Sequence, residues 1–170
     1  MKGFKLLPIL FCAALVAADQ LSKYIAYILL EPVGSVTIIN GVFNLSYVVN
    51  DGAGFGILQG VQGARYFFIL VTVVVMAGII YYYVKLPKDK MYNKARFTLI
   101  LIMAGALGNF IDRVRVGYVI DFIEARFIKF PVFNIADSYV VIGVIFFSVL
   151  YLFVYKENKI EGRQAEPERL

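Results

Sequence analysis

Asp121 lies in "YVIDFI" and Asp137 in "FNIADSYVVIGVIFF", two carboxylates set in otherwise apolar sequence. An aspartate at a membrane-helix centre costs roughly 2.5–3.5 kcal/mol, less near the interface, so each one needs a reason. Asp137 opens a long apolar run, where an acid can cap a helix or favour its dipole. Asp121 has no basic neighbour in its strand-like stretch. If the two meet at one membrane boundary, one keeps a proton while the other ionises. That division lets one carboxylate activate water and the other protonate or stabilise a carbonyl oxygen. Read from the residues, capping and an acid pair both stay open for Asp137.

The rest of the chemical inventory narrows the field. Histidine is absent and Cys12 is the single cysteine, which excludes Ser-His-Asp and Cys-His nucleophiles, a disulfide framework and the usual zinc sites. No metal or cofactor is expected. Asp19 and Lys23, in "ADQLSK", are spaced i to i+4 and read as a structural pair on one helix face. In "GNFIDR", Asn109 and Asp112 share a face at i to i+3, and Arg113 is expected to neutralise Asp112. Two competing chemistries have candidates. Ser138 with Lys129 as base would make a serine–lysine protease, and intramembrane Asp, Arg and Lys would suit a small ion-coupled transporter. No repeat pairs two halves, which argues against the transporter. A purely structural membrane subunit leaves Asp121 unexplained. "NDGAGFG" lacks the strand–turn–helix setting of a phosphate loop.

The elements that must position these groups are membrane helices. Hydrophobic residues make up 61% of the 170, well above the soluble average. Four segments are apolar enough to span, at about 6–30, 66–86, 97–111 and 136–155, and the third is short enough to predict either a tilt or polar residues brought into the interface. The net charge of +5 is a topology signal and not a nucleic-acid one. Lys2, Lys5, Lys85, Lys88, Lys90, Lys94, Arg96, Lys156, Lys159, Arg163 and Arg169 fall on one side, which places both termini and the 85–96 loop in the cytoplasm. The connections 31–64 and 112–135 then face outward. Small residues in "LVAAD" would suit a cleaved leader, but the apolar run continues through "YIAYILL" and favours a retained span.

In the first outward segment, Asn40-Gly41 predicts a hairpin turn. Phe43, Leu45, Tyr47 and Val49 alternate there with Asn44, Ser46 and Asn50, which predicts an apolar and a polar strand face. The second outward segment, "VGYVIDFIEARFIKFPVFN", is also strand-like, so the two form a platform over the helices. Ala104, Gly105, Ala106 and Gly108 would let a neighbour approach the third span closely. The whole is a polytopic α-helical membrane protein, four transmembrane helices with a small extracytoplasmic β-cradle, a single domain over 1–155. A polar tail follows at 156–170.

The motifs "DQLSK", "NDGAGF", "GNFIDR", "VIDF" and "FNIADS", in this order on four spans, resemble bacterial lipoprotein signal peptidase (signal peptidase II). The resemblance covers nearly the whole chain, the polar tail excluded. It implies an intramembrane aspartic protease of the bacterial inner membrane, working near the outer face. Such an enzyme removes the signal peptide from diacylglyceryl-modified prolipoproteins, cutting just before the lipidated cysteine. It further implies Asp121 and Asp137 as the catalytic pair. Asp19, Lys23, Asn50, Gly52, Gly108, Asn109, Asp112, Arg113, Asn134 and Ala136 match its recurring positions around the site, with the asparagines orienting the acids or holding substrate backbone. Gly54 stands where that family often has alanine or serine. Partners are then lipid-modified prolipoproteins and membrane lipids, with no nucleic acid and a monomeric enzyme. Bulky Phe11 before Cys12 makes a poor lipobox, so the chain is not expected to be its own substrate.

Overall fold

The computed structural model describes residues 6–155; the expectations for Lys2, Lys5, Lys156, Lys159, Arg163, Arg169 and the polar tail 156–170 lie outside them. Four helices cross the length of the molecule: α1 Leu6–Leu30, α2 Ala64–Lys85, α3 Asn93–Arg115 and α4 Ile135–Leu150, the last running into a π-helical turn at Tyr151–Tyr155. All four are long and apolar enough to cross a membrane. The third is not short. Polar residues at both ends (Asn93, Lys94 and Arg96; Asp112, Arg113 and Arg115) hide its true length from an apolarity window, although they continue the helix. Its length does not require a tilt, and polar residues do lie within the helix, the other of the two expectations.

Between α1 and α2, β1 (Ser35–Ile39) and β2 (Phe43–Asn50) form a hairpin closed by Asn40, Gly41 and Val42. Gly41 takes φ 71, a left-handed conformation that costs glycine nothing. After α3, β3 (Val119–Ala125) adds antiparallel to β2, giving the sheet order β1-β2-β3. The second connection is not strand throughout. The chain turns back after Ala125, and Phe133 alone returns to pair with Ile123. Pro131 lacks a backbone N–H and cannot donate to a ladder there.

The molecule is apolar outside and polar within, the pattern expected where lipid is the solvent. Of the α2 side chains only Ala64 is buried, while the largest fully buried side chains include Lys23, Asn134, Asp19 and Asp112. Close helix approach makes this possible. A Cβ on Gly105 would overlap the Ala136 carbonyl oxygen, and one on Gly108 would strike the Asp19 carboxylate. Glycine at these two positions sets how near α4 and α1 come to α3.

Gly105→Ala is therefore expected to cost about 1–3 kcal/mol through overpacking, read as a lower thermal midpoint in detergent. Gly78→Ala on α2, where a Cβ meets nothing within 4 Å, is the matched control and should leave the midpoint unchanged or slightly raised.

Candidate active site

Asp121 and Asp137 are brought together by the segment that joins β3 to α4. Phe133 exchanges backbone hydrogen bonds with Ile123, its N–H donating at 3.0 Å and its carbonyl accepting at 2.8 Å. This pins the start of α4 beside β3. The next residue, Asn134, is the N-cap of α4: its side-chain oxygen accepts from the Asp137 N–H, and the Asp137 carboxylate accepts from the Asn134 N–H, a reciprocal capping box. Asp137 thus serves the helix end from its third position and is not the cap itself. The amide nitrogen of Asn134 reaches the other way, donating to Asp121 Oδ1 at 2.7 Å. A single fully buried asparagine therefore spans both carboxylates.

Each acid has both oxygens held. Asp121 Oδ2 accepts from Asn50 Nδ2 at 2.8 Å. Asp137 Oδ1 accepts from Asn109 Nδ2 at 2.7 Å and Oδ2 from the Asn134 N–H at 3.1 Å. Asn50 reaches its partner because of a bulge in β2. Leu45 pairs with Ile123 but Val48 with Asp121, so β2 uses one residue more than β3. Strict alternation would leave Asn50 on the side of Asn44 and Ser46; the extra residue moves it to the side of Asp121. Those two polar residues are also not on a solvated face. Both are buried, and Ser46 donates to Glu124 Oε2 at 2.6 Å. Burial is the main cause lifting the Asp121 carboxyl to about 6; the Asn50 bond pulls it down, the Asp137 charge pushes it up, and Asn134 and Lys23 lower it.

Beneath the two acids lies a charged frame. Lys23 Nζ contacts Asp19 Oδ2 at 3.0 Å, Asp112 Oδ2 at 2.8 Å and Asn109 Oδ1 at 2.8 Å. Asp112 is therefore neutralised by Lys23 and not by Arg113, since adjacent helix residues point in different directions. Asp19 Oδ1 accepts from the Ala136 N–H at 3.0 Å, so α1 also supports the first turn of α4. Gln20, which the sequence reading passed over, donates to Asp112 Oδ1 at 2.9 Å and to the Gly108 carbonyl at 3.2 Å. Its position inside the "DQLSK" motif was the available signal.

The acids open onto a cavity of about 510 Å³ whose polar wall carries Asn50, Asn109, Arg113, Asp121, Asp137 and Ser138. Val119, Phe133, Val141 and Ile142 line its apolar side. Arg113 donates to the Gly52 carbonyl at 2.9 Å, and its guanidinium lies 5.0 Å over the Phe68 ring. Gly52 donates in turn to Asn50 Oδ1 at 3.0 Å, and a Cβ there would stand 2.6 Å from the Ile57 carbonyl oxygen. Ser138 Oγ donates to the Asn134 carbonyl at 3.2 Å, while Lys129 is exposed and absent from the cavity wall. The serine–lysine alternative has no geometry to stand on. The sequence-selected residues Asp19, Lys23, Asn50, Gly52, Gly108, Asn109, Asp112, Arg113, Asn134 and Ala136 all converge on this one region.

A family model described as signal peptidase (SPase) II matches residues 11–153. A lipoprotein signal peptidase of Caldanaerobacter subterraneus subsp. tengcongensis is 47% identical over 148 residues, covering 86% of this chain and 97% of that protein. One from Clostridioides difficile is 42% identical over 154 residues, covering 91% and 100%. A solved structure described as a bacterial membrane enzyme, determined by the in meso method at 2.3 Å, superposes with a TM-score of 0.77 at 34% identity, covering 98% of this chain and 96% of that one.

Three measurements test the site as built. Asp121 should titrate near 6, seen by its carboxyl infrared band, and Asn50→Leu should move that titration upward by removing a bond to the charged form. Because its folded value is raised from 3.8, stability should fall as pH rises through that interval to about 6, a dependence lost in Asp121→Asn. Lys23→Met should destabilise the fold by roughly 3–5 kcal/mol by stranding two buried carboxylates, read by thermal or denaturant unfolding.

Proposed function

The chain belongs to the signal peptidase II family, and on that premise we propose that it is an aspartic endopeptidase whose reacting groups are Asp121 and Asp137. Its substrates are diacylglyceryl-modified prolipoproteins, cut on the N-terminal side of the lipidated cysteine. The observation that carries this reading is that both carboxylates line one cavity and are bridged by Asn134, whose side-chain amide donates to Asp121 and whose backbone N–H donates to Asp137. That fixed pair is what general acid–base hydrolysis requires in a chain without histidine.

The pair holds one proton between its two members. In this mechanism Asp121, whose carboxyl burial lifts to about 6, carries that proton while substrate fills the cavity. Asp137 takes a proton from water as the water oxygen attacks the scissile carbonyl. Asp121, itself buried, donates a hydrogen bond to the developing oxyanion, which lowers the barrier. Collapse of the tetrahedral intermediate breaks the C–N bond, and the proton gained by Asp137 passes to the leaving amine. Arg113 holds the loop at Gly52 over the cavity, while Asn50 and Asn109 fix the orientation of the acids. The apolar wall at Val141 and Ile142 suits the hydrophobic signal segment and acyl chains of such a substrate.

The enzyme works as a monomer in the bacterial inner membrane, with both termini cytoplasmic and the cavity near the outer face. The charge distribution supports this: Lys85, Lys88, Lys90, Lys94 and Arg96 gather at the end of the bundle opposite the two acids.

Asp121→Asn and Asp137→Asn are each expected to lower cleavage of a purified lipidated precursor by roughly 10²–10⁴-fold or more with the thermal unfolding transition retained. Ser138→Ala should cleave at the wild-type rate. Normal turnover in either aspartate variant would refute the mechanism.

A further inference from the structure

A shallow, open groove of about 450 Å³ lies at the opposite end of the bundle from the carboxylates. Val75, Gly78 and Tyr82 of α2, Leu99 of α3, Phe147 of α4 and Tyr151 of the π-helical turn form its walls. Gly78 leaves its wall open, since a Cβ there would meet nothing within 4 Å. Tyr82 meets Phe147 edge-on at 5.8 Å, joining α2 to α4 at that level. Below this lies an apolar plug of Leu86, Ala95 and Leu99, with Ile79 and Phe147 packed against it. The walls are hydrocarbon and aromatic, and the groove is open along its length, a shape that suits an extended acyl chain more than a compact ligand.

The loop beneath the groove is basic. Lys85 follows Tyr82 by three residues, about 4.5 Å further along α2, and Lys94 precedes Leu99 by five, about 7.5 Å along α3. Arg96 is committed to the loop itself, donating to the Leu86 carbonyl at 3.3 Å, to Asn93 Oδ1 at 3.2 Å and also to the Pro87 carbonyl. Asp89, the acid of this loop, accepts from the Met91 N–H at 2.8 Å. Lys85 lies 5.8 Å from the Tyr81 ring centroid. Lys88, Lys90 and Lys94 are exposed.

We infer that this groove and its lysines form a binding site for an anionic phospholipid, with an acyl chain against Gly78 and Leu99 and the phosphate headgroup on Lys88, Lys90 and Lys94. The groove alone would accept any acyl chain; the lysines select headgroup charge. The site shares no residue with the carboxylate cavity, so it stands whether or not the peptidase mechanism holds.

Native mass spectrometry of the full chain, titrated with phosphatidylglycerol and phosphatidylcholine of identical acyl chains, tests it. Phosphatidylglycerol should bind about a hundredfold more tightly, and Lys88→Gln/Lys90→Gln/Lys94→Gln should remove that preference, each lysine contributing about fivefold. Gly78→Leu and Val75→Phe, which fill the groove from α2, should weaken binding of both lipids while precursor cleavage and the thermal midpoint stay at wild-type values. Equal affinity for the two lipids overturns the proposal. Phosphatidylglycerol binding that survives in the groove variants, or competition by soluble glycerol phosphate as effective as the lipid, also overturns it, since either would mean headgroup adsorption without an acyl seat.

Discussion

An ammonium group has three hydrogens to donate, and Lys23 directs its own at Asp19, Asp112 and Asn109 in the middle of an apolar helix bundle. A buried cation is tolerable only if its attraction to fixed partners offsets the loss of water. Here the partners come from two helices, so satisfying the charge also fixes α1 against α3. The consequences travel outward by hydrogen bonds. Asp19 holds the first turn of α4 through the Ala136 N–H, and Asn109, its oxygen occupied by Lys23, can present only its amide hydrogens to Asp137. Asn134 then passes the same constraint to Asp121. The orientation of both acids is thus linked to one lysine.

How much of this could be read beforehand depended on range. The Asp19–Lys23 pair is a local relation, one helical turn apart, and its structural role follows from spacing. The existence of four spans follows from apolarity, and the hairpin from Asn40-Gly41. What escaped were relations fixed by tertiary contact. Nothing in the strand's alternation signals an extra residue between Leu45 and Val48, yet that residue is what delivers Asn50 to Asp121. Arg113 beside Asp112 looks like its partner on paper, whereas the helix turns it toward Gly52 and Phe68. Gln20 is uncharged and its partners Asp112 and Gly108 are remote in sequence, so only its place inside "DQLSK" marks it, and the Phe133 bridge is a tertiary backbone contact with no local signal. Asn50, Gly52, Asn134 and Ala136 are marked as site residues by the family resemblance, which carries tertiary information that composition and periodicity lack.

The distribution of polarity also explains why glycine matters on α3. In lipid there is little hydrophobic gain from bringing two helices together, so association rests on close packing and internal hydrogen bonds. Gly105 and Gly108 supply the first, and by admitting the Ala136 backbone and the Asp19 carboxylate they permit the second. Packing and polar satisfaction are here one requirement seen from two sides. The small sheet contributes differently: it holds Asp121 on an element outside the helices, paired on one edge to β2 and tethered on the other by Phe133.

The capping box at the start of α4 has an implication for side-chain length. Glutamate is the usual residue at the third position of such a box, because its extra methylene lets it curl back to the N-cap amide. A helix end taken alone would be served at least as well by glutamate at position 137. Aspartate, one carbon shorter, keeps its second oxygen close enough to the helix for Asn109 to hold it at 2.7 Å. The difference between an ordinary helix start and an aimed carboxylate comes down to one CH₂, and with it the reach of the acid into the cavity.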